Sequence, residues 1–190
     1  MNLLTSTIAN DYRVTLATIN RLISHSEITF DLIYAILIPR SIMVTRCAIT
    51  GLPRLFELTS WQRVCVNGIG LYQLQLESVD LIDRTATRSV GVGKIQTVVC
   101  LRPVRGTIKI DSLDAYPIKF HPDEENLRAT IMKRGKKWVS FIGVHHKQYD
   151  GIAAVKCSDS LTRHNVGHFK VLMEWPSQPD FLLGSEQDYD

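Results

Sequence analysis

The segment 113–153 carries the clearest structural signals in the chain, because it contains a helix that is marked at both ends. Pro122 suits the first helical position, and the three acidic residues that follow it favour the positive end of the helix dipole. Lys133 favours the negative end, and Gly135 is typical of the left-handed residue that closes a helix. These signals predict a helix over residues 123–134, covering one end of a sheet.

Two helices are predicted before any strand. The first spans residues 10–25 and begins with Asn10 or Asp11, whose short side chains can accept a hydrogen bond from an unpaired backbone N–H. Residues 30–37 place apolar side chains at i, i+3, i+4 and i+7, which is the pattern of a buried helical stripe. Pro39 ends this second helix, because proline disfavours a helical conformation in the residue before it.

From residue 41 onward the sequence is typical of a β protein. Residues 72–76 alternate between apolar and polar side chains, as in a half-buried strand. Asn67-Gly68 is a strong turn signal, because both residues tolerate a positive φ. Residues 95–101 are apolar on both faces, which predicts a strand at the centre of the sheet. Further strands are predicted at residues 42–47, 54–59, 64–66, 108–110, 138–142, 148–155 and 168–174.

These elements predict an α+β fold. Two N-terminal helices pack on a mainly antiparallel twisted sheet or partly open β-barrel, and one further helix lies at about 123–134. A single domain is expected over residues 10–175, with an N-terminal extension at 1–9 and an acidic flexible tail at 176–190. A hydrophobic fraction of 45% and a charged fraction of 22% fit one folded domain.

Cysteine usage and the N-terminal residues indicate an intracellular protein, cytoplasmic or nuclear. The cysteines form no C-x-x-C pair and most lie in apolar runs, which is typical of buried thiols in a reducing compartment. The N-terminus lacks the basic and apolar regions of a signal peptide, and the longest apolar stretch, residues 30–39, is too short to span a bilayer. No membrane partner is therefore expected. The cysteines are Cys47, Cys65, Cys100 and Cys157.

Motifs for catalysis and cofactor binding fall short of their requirements. Residues 89–94 resemble a phosphate-binding loop, but Arg88 stands where that loop needs a glycine and Ile95 where it needs Ser or Thr. His164 and His168 have the i, i+4 spacing of zinc ligands, but a glycine and no glutamate lies between them. No cofactor and no metal ion are therefore expected. A small hydrolase with a Cys–His pair stays a lesser alternative.

Positive charge is concentrated in and after the predicted helix at 123–134. Such a cluster can attract phosphates or acidic protein partners. A solvated helix end joined to a solvated hairpin would also carry these charges, so both interpretations stay open. The candidate binding residues are Arg128, Lys133, Arg134, Lys136, Lys137, His145, His146 and Lys147.

Short motifs in one order along the chain resemble a known family. They are Ile28-Thr29-Phe30-Asp31-Leu32 with Pro39, Arg105-Gly106-Thr107 with Ile110 and Leu113, Tyr116-Pro117 with His121-Pro122, Leu127-Arg128, Arg134-Gly135-Lys136-Lys137, the run 140–147, and Tyr149, Gly151 and Ala153. Over most of residues 10–155 the sequence resembles an uncharacterised domain that precedes the ATPase core in many fungal AAA-type ATPases. Residues 80–94 depart from that pattern.

The resemblance implies a recognition domain that lies before a nucleotide-hydrolysing module in full-length relatives. The Walker motifs of that module have no matching positions in this sequence, so no ATPase activity and no functional residues carry over. We therefore expect a non-catalytic recognition or adaptor domain that binds a protein partner or substrate. The alternative is a nucleic-acid-binding β domain that uses the basic residues at 133–147.

Overall fold

The computed structural model describes residues 2–48, 50–84, 89–140, 144–157 and 160–174, with side chains described at 6–48, 50–80 and 91–140. The helices are α1 Asn2–Asp11, α2 Arg13–Ser24 and α3 Glu124–Val139. The strands are β1 Glu27–Thr29, β2 Ile42–Arg46, β3 Pro53–Val66, β4 Ile69–Arg84, β5 Ser89–Leu101, β6 Thr107–Lys109, β7 Ala115–Pro117, β8 Val144–Cys157 and β9 Ser160–Glu174. Short 3-10 helices span Phe30–Ala35, Ile110–Ser112 and Ile118–Phe120.

The α+β prediction is confirmed. The main sheet is open and has five strands in the order β5-β4-β3-β2-β7, and the pairs β1-β6 and β8-β9 form two-stranded sheets. The prediction that residues 95–101 lie at the centre of the sheet is wrong, because β5 is an edge strand. The apolar residues of β5 suggested that both of its faces are buried, but Val98 and Cys100 are exposed.

The two N-terminal helices follow each other almost without interruption. α1 covers most of the predicted extension, and α2 lies within the predicted helix at 10–25. The N-cap predicted at Asn10 or Asp11 is wrong, because both residues lie inside α1 and the residue before α2 is Tyr12, which makes no side-chain cap hydrogen bond. The amide of Tyr12 donates to the Ile8 carbonyl at 3.0 Å and the amide of Leu16 donates to the Tyr12 carbonyl at 2.9 Å. Helical hydrogen bonds therefore continue through the junction, and a cap has little to satisfy there.

The predicted helix at 30–37 is a shorter 3-10 helix, Phe30–Ala35. The amides of Ile36 and Leu37 donate to carbonyls three residues earlier, at 3.0 and 3.3 Å. Only a few residues separate β1 from Pro39, and such short connections commonly take the tighter 3-10 geometry. The apolar stripe is still used, because Phe30 and Ile33 are buried.

The β3–β4 hairpin forms at the predicted turn. Asn67 and Gly68 have φ angles of 52° and 77°, and Val66 pairs with Ile69 on either side of them. β3 is one long strand where two short ones were predicted, because its polar middle pairs with β4 after a register shift between Leu58 and Ser60. The hairpin supplies two adjacent inner strands of the main sheet.

The chain divides into two compact units that alternate along the sequence. The first contains Met1–Thr45, Leu55–Glu77 and Gln96–Glu124, and the second contains Arg46–Arg54, Ser78–Ile95 and Glu125–Asp190. Because the units are interleaved in sequence, they are not two consecutive domains. The predicted domain limits, 10–175, stay a prediction.

The first unit contains a well-buried apolar core. Tyr72, Leu74 and Leu76 are buried while the residues between them are not, so the predicted alternation in β4 is confirmed. The largest side chains with less than 2% exposure are Ile28, Ile33, Ile36, Met43, Leu58, Leu74, Leu76, Leu101, Ile110 and Val44, and all of them belong to this unit. Burial of this apolar surface is the main favourable term for folding of the unit.

The second unit contains α3 and the β8–β9 hairpin. The prediction that Gly135 ends the helix is wrong, because α3 continues to Val139. Gly135 is not among the glycines with positive φ, and the helix closes where the Ser140 amide donates to the carbonyls of Lys136 and Lys137 at 3.1 Å. The predicted strand at 138–142 therefore begins inside a helix, and its last two residues lie outside the described part of the chain.

The β8–β9 hairpin pairs antiparallel, with a register shift between Tyr149 and Gly151. It agrees with the strands predicted at 148–155 and 168–174 and extends both of them. Among the helices that the structure describes, none is long and apolar enough to cross a membrane. The predicted tail at 176–190 lies outside the described residues.

Candidate recognition surface on helix α3

Helix α3 has one packed face and one exposed face. Leu127 is buried, and Ile131 and Trp138 are half-buried on the same side of the helix. These residues and Arg134 follow the spacing i, i+4, i+7 and i+11, which is one stripe of an α-helix at about 100° per residue. Most other residues of α3 are exposed, so the helix uses a narrow stripe for packing and leaves the rest of its surface to solvent.

Arg134 anchors α3 by a hydrogen bond from its side chain to the backbone. Its Nη1 donates to the Pro53 carbonyl oxygen at 3.0 Å, a contact within the second unit. Burial lowers the pKa of the Arg134 guanidinium below its ordinary value, and the positive charge of Arg54 lowers it further. Arginine keeps its proton at neutral pH even so. This predicted binding residue therefore has a structural role.

Trp138 anchors the C-terminal turn of α3. Its indole Nε1 donates to the Asp80 carboxylate Oδ1 at 3.0 Å, again within the second unit. Hydrogen bonds to an ionised acceptor are stronger than those between neutral groups. The Trp138–Asp80 bond holds the last turn of α3 against a strand that is distant in sequence. It therefore favours continuation of the helix past Gly135.

Arg134 is itself exposed in spite of its hydrogen bond, and the other four predicted cations of α3 are exposed as well. Lys133 and Lys136 lie opposite the packed stripe, Lys137 lies on one flank and Arg128 on the other. From Arg128 to Val139 the sequence has five basic residues and no acidic residue. The resulting surface, Arg128, Lys133, Lys136 and Lys137, is called the α3 basic face below.

Like charges at i, i+3 and i+4 disfavour a helix. Lys133 repels both Lys136 and Lys137, and such pairs destabilise a helix by roughly 0.2–0.5 kcal/mol each. The last turn of a helix offsets part of this repulsion, because its exposed carbonyls attract cations. The α3 basic face is therefore a concentration of exposed positive charge.

The remaining predicted binding residues lie in β8. His145, His146 and Lys147 pair in register with Met173, Leu172 and Val171 of β9. Their side chains lie outside the described side chains, so the structure brings together only the helical members of the predicted set. Their part in binding stays a prediction.

Neither a metal site nor a phosphate-binding loop is formed in the described part of the chain. Among those residues, no group of three or more His, Cys, Asp or Glu is arranged to hold a metal ion. Lys94 lies inside β5 and does not open a helix, as a phosphate-binding loop requires. Cys47 is buried, whereas Cys65 and Cys100 are exposed free thiols. The side chain of Cys157 is outside the described set.

A cluster around Arg63 in the first unit was missed by sequence analysis. Arg63 Nη2 lies 3.2 Å from Asp31 Oδ1, and the guanidinium lies over the rings of Phe30 and Tyr72 at 5.6 and 5.8 Å. The Phe30 and Tyr72 rings meet edge to face at 5.2 Å. No local pattern indicates this contact, because Arg63 and Asp31 are 32 residues apart.

Tyr72 is the buried centre of that cluster. Burial raises the pKa of its phenol above the ordinary value of 10.0, and the Arg63 charge opposes the rise. Trp61 packs against Tyr72 with ring centroids 5.6 Å apart and donates its Nε1 hydrogen to the Leu37 carbonyl at 2.9 Å. The cluster fastens the 3-10 helix Phe30–Ala35 to the β3–β4 hairpin.

Comparison with protein families identifies a family for part of this chain. No curated protein and no solved structure matches the chain. Residues 18–122 match a domain of unknown function, DUF7025. The matched interval is more than half of the 190 residues and includes the C-terminal part of α2, the 3-10 helix Phe30–Ala35 and the strands β1 to β7. The chain therefore belongs to the DUF7025 family of domains of unknown function.

Proposed function

We propose that this chain is a non-catalytic recognition domain that binds an acidic segment of a protein partner through the α3 basic face. The observation that carries the proposal is a run of exposed cations on a helix that other residues hold in place. Arg134 and Trp138 fix the helix, and Lys133, Lys136 and Lys137 are left at its surface. A helix that is already formed loses little backbone conformational entropy when a partner binds to it.

Apolar side chains beside the cations favour a protein partner. Met132 and Val139 are 64% and 50% exposed and lie seven residues apart, on one side of the helix. Arg128 and Lys136 flank these two residues. A partner that offers both carboxylates and apolar side chains would match this arrangement, whereas a phosphate backbone would use only the charges.

A titration with a defined acidic peptide tests the proposal. We expect a fluorescein-labelled peptide of glutamate and leucine to bind the purified chain, with a rise in fluorescence anisotropy. Reversal of the three lysines, Lys133→Glu with Lys136→Glu and Lys137→Glu, should weaken binding by at least about tenfold, because like charges then meet across the interface. A lysine and leucine peptide of the same length should not bind the native chain.

The matched control changes net charge equally at another exposed site. Arg102, Arg105 and Lys109 are exposed in the first unit, and their triple reversal to glutamate should leave peptide binding close to that of the native chain. Equal loss in the two triple variants would overturn the assignment of the α3 basic face. Absence of any binding by the native chain would overturn acidic-segment recognition itself.

The second candidate is nucleic-acid binding by the same cations. The unbroken run of positive charge favours it, because phosphate binding needs little beyond clustered Lys and Arg. In that case labelled DNA or RNA should bind at low salt and dissociate steeply as salt rises, with several ions released. Truncation of the neighbouring apolar residues, Met132→Ser and Val139→Ser, should weaken peptide binding and leave oligonucleotide binding unchanged.

We also propose that longer relatives carry an AAA-type ATPase core after this domain. The support is the resemblance stated above, whose motifs at residues 28–39 and 105–122 lie inside the DUF7025 interval. In such a protein the domain would bind a substrate or adaptor and present it to the motor, inside the cell. Reading frames that encode DUF7025 test this point: Walker motifs downstream support it, and their consistent absence contradicts it.

A further inference from the structure

Strand β5 is a long sheet edge with little protection against further pairing. It has 13 residues, and among the described strands β4 is its only hydrogen-bonded neighbour. The opposite edge of the sheet, β7, has three residues and ends at Pro117. Proteins commonly protect long edges with several charges, prolines or bulges, because the edge exposes unpaired backbone N–H and C=O groups. β5 has no proline, and Lys94 is its one charged residue.

The side chains of β5 also favour pairing. Exposed and half-buried residues alternate along it, and the exposed set is Val92, Lys94, Gln96, Val98 and Cys100. Val92 and Val98 are 66% and 49% exposed. β-branched residues are favoured in strands because they pack against cross-strand neighbours. Among the described strands, none pairs with β5 on its outer side to supply such neighbours for the two exposed valines.

The strand is complementary to a second copy of itself. An antiparallel pairing with a two-fold axis at Ile95 uses the whole strand, because Ser89 then lies opposite Leu101. In the same register Val92 lies opposite Val98, and Lys94 lies opposite Gln96. Two β-branched pairs form, and no like charges lie directly opposite each other.

Neighbouring registers on the same face fit less well. An axis at Lys94 would place two lysines opposite each other, and an axis at Gln96 would place Lys94 opposite Val98. We propose that two copies of this chain associate by antiparallel pairing of β5 about a two-fold axis at Ile95. Such an interface is isologous, so it closes at two copies and covers both exposed edges.

Paired charge substitutions test both the dimer and its register. Sedimentation equilibrium of the native chain should give a dimer at micromolar concentration. The variant Val92→Lys/Val98→Lys places lysines opposite each other twice and should raise the dissociation constant at least about tenfold. The variant Val92→Lys/Val98→Glu places each lysine opposite a glutamate of the partner and should dimerise nearly as well as the native chain.

A control variant separates the edge from general surface charge. Val66 and Val79 are 50% and 68% exposed and do not lie in β5, so Val66→Lys/Val79→Lys should dimerise like the native chain. Circular dichroism checks that each variant stays folded, which is expected because every changed side chain is exposed. A monomeric native chain, or a dimer unaffected by the two β5 lysines, would overturn the proposal. If Val92→Lys/Val98→Lys and Val92→Lys/Val98→Glu weaken dimerisation equally, the proposed register is wrong.

Discussion

The indole Nε1 of Trp138 lies 3.0 Å from Asp80 Oδ1, so the last turn of α3 is tied to the C-terminal half of β4 by a hydrogen bond to a carboxylate. This bond lies one turn beyond the glycine that the sequence marks as the end of the helix. The exposed lysines of the last turns therefore sit on an ordered helix, and the α3 basic face depends on this contact.

Replacement of Trp138 by phenylalanine should destabilise the chain. The substitution keeps an aromatic ring but removes the donor to a charged acceptor, which corresponds to about 1–2 kcal/mol. The free energy of unfolding in urea measures the loss. Val79→Thr, an exposed change next to Asp80, should stay within about 0.5 kcal/mol of the native chain. If the Trp138→Phe variant and the native chain unfold at the same urea concentration, the hydrogen bond from Trp138 to Asp80 does not stabilise the fold.

Arg134 and Lys133 should respond differently to the same substitution. Arg134→Met removes the hydrogen bond to the Pro53 carbonyl and should cost about 1 kcal/mol of unfolding free energy. Lys133→Met removes an exposed cation that repels its neighbours and should change stability by less than about 0.5 kcal/mol. In the peptide titration the Lys133 substitution should weaken binding. Equal stability losses in the two variants would contradict the division of α3 into packed and exposed faces.

Tyr72 should make the chain sensitive to alkaline pH. Because burial raises its pKa in the folded state, the unfolded chain loses the phenol proton first as pH rises. Its contribution to stability is present below about pH 10 and is lost as pH rises through the raised folded pKa. Urea unfolding at about pH 8 and about pH 10.5 should show a smaller decline for Tyr72→Phe than for the native chain. Parallel declines would rule out this role.

The ion pair between Arg63 and Asp31 should contribute little by itself. The two side chains are 54% and 80% exposed, and exposed pairs typically contribute less than about 1 kcal/mol. In a double-mutant cycle with Asp31→Asn and Arg63→Met we expect a coupling energy of about 0.5 kcal/mol or less. Arg63→Met alone should cost more than Asp31→Asn alone, because the guanidinium also contacts the rings of Phe30 and Tyr72. A larger cost for Asp31→Asn would reverse this order.

Local sequence patterns predicted the parts of the fold that local physics determines. Alternation placed Tyr72, Leu74 and Leu76 in the core, and Asn67-Gly68 marked the β3–β4 turn. Both signals depend on neighbours in sequence, through side-chain period in one case and permitted φ angles in the other.

The wrong predictions concern features that depend on residues distant in sequence. Gly135 signals a helix end, but the hydrogen bond from Trp138 to Asp80 continues the helix beyond it. The apolar sequence of β5 suggested a central strand, yet strand order is a property of the whole sheet and leaves Val98 at the edge. Sequence also grouped Arg134 with the exposed lysines and could not indicate its hydrogen bond to the distant carbonyl of Pro53.

Chemical-shift mapping by NMR tests the central claim most directly. A ¹⁵N-labelled native chain is titrated with the glutamate and leucine peptide, and amide shifts are followed residue by residue. We expect the largest changes at residues 128–139, and no such changes when Lys133, Lys136 and Lys137 are all glutamate. Shift changes centred on α2 or on the β3–β4 hairpin, with α3 unaffected, would contradict recognition by the α3 basic face.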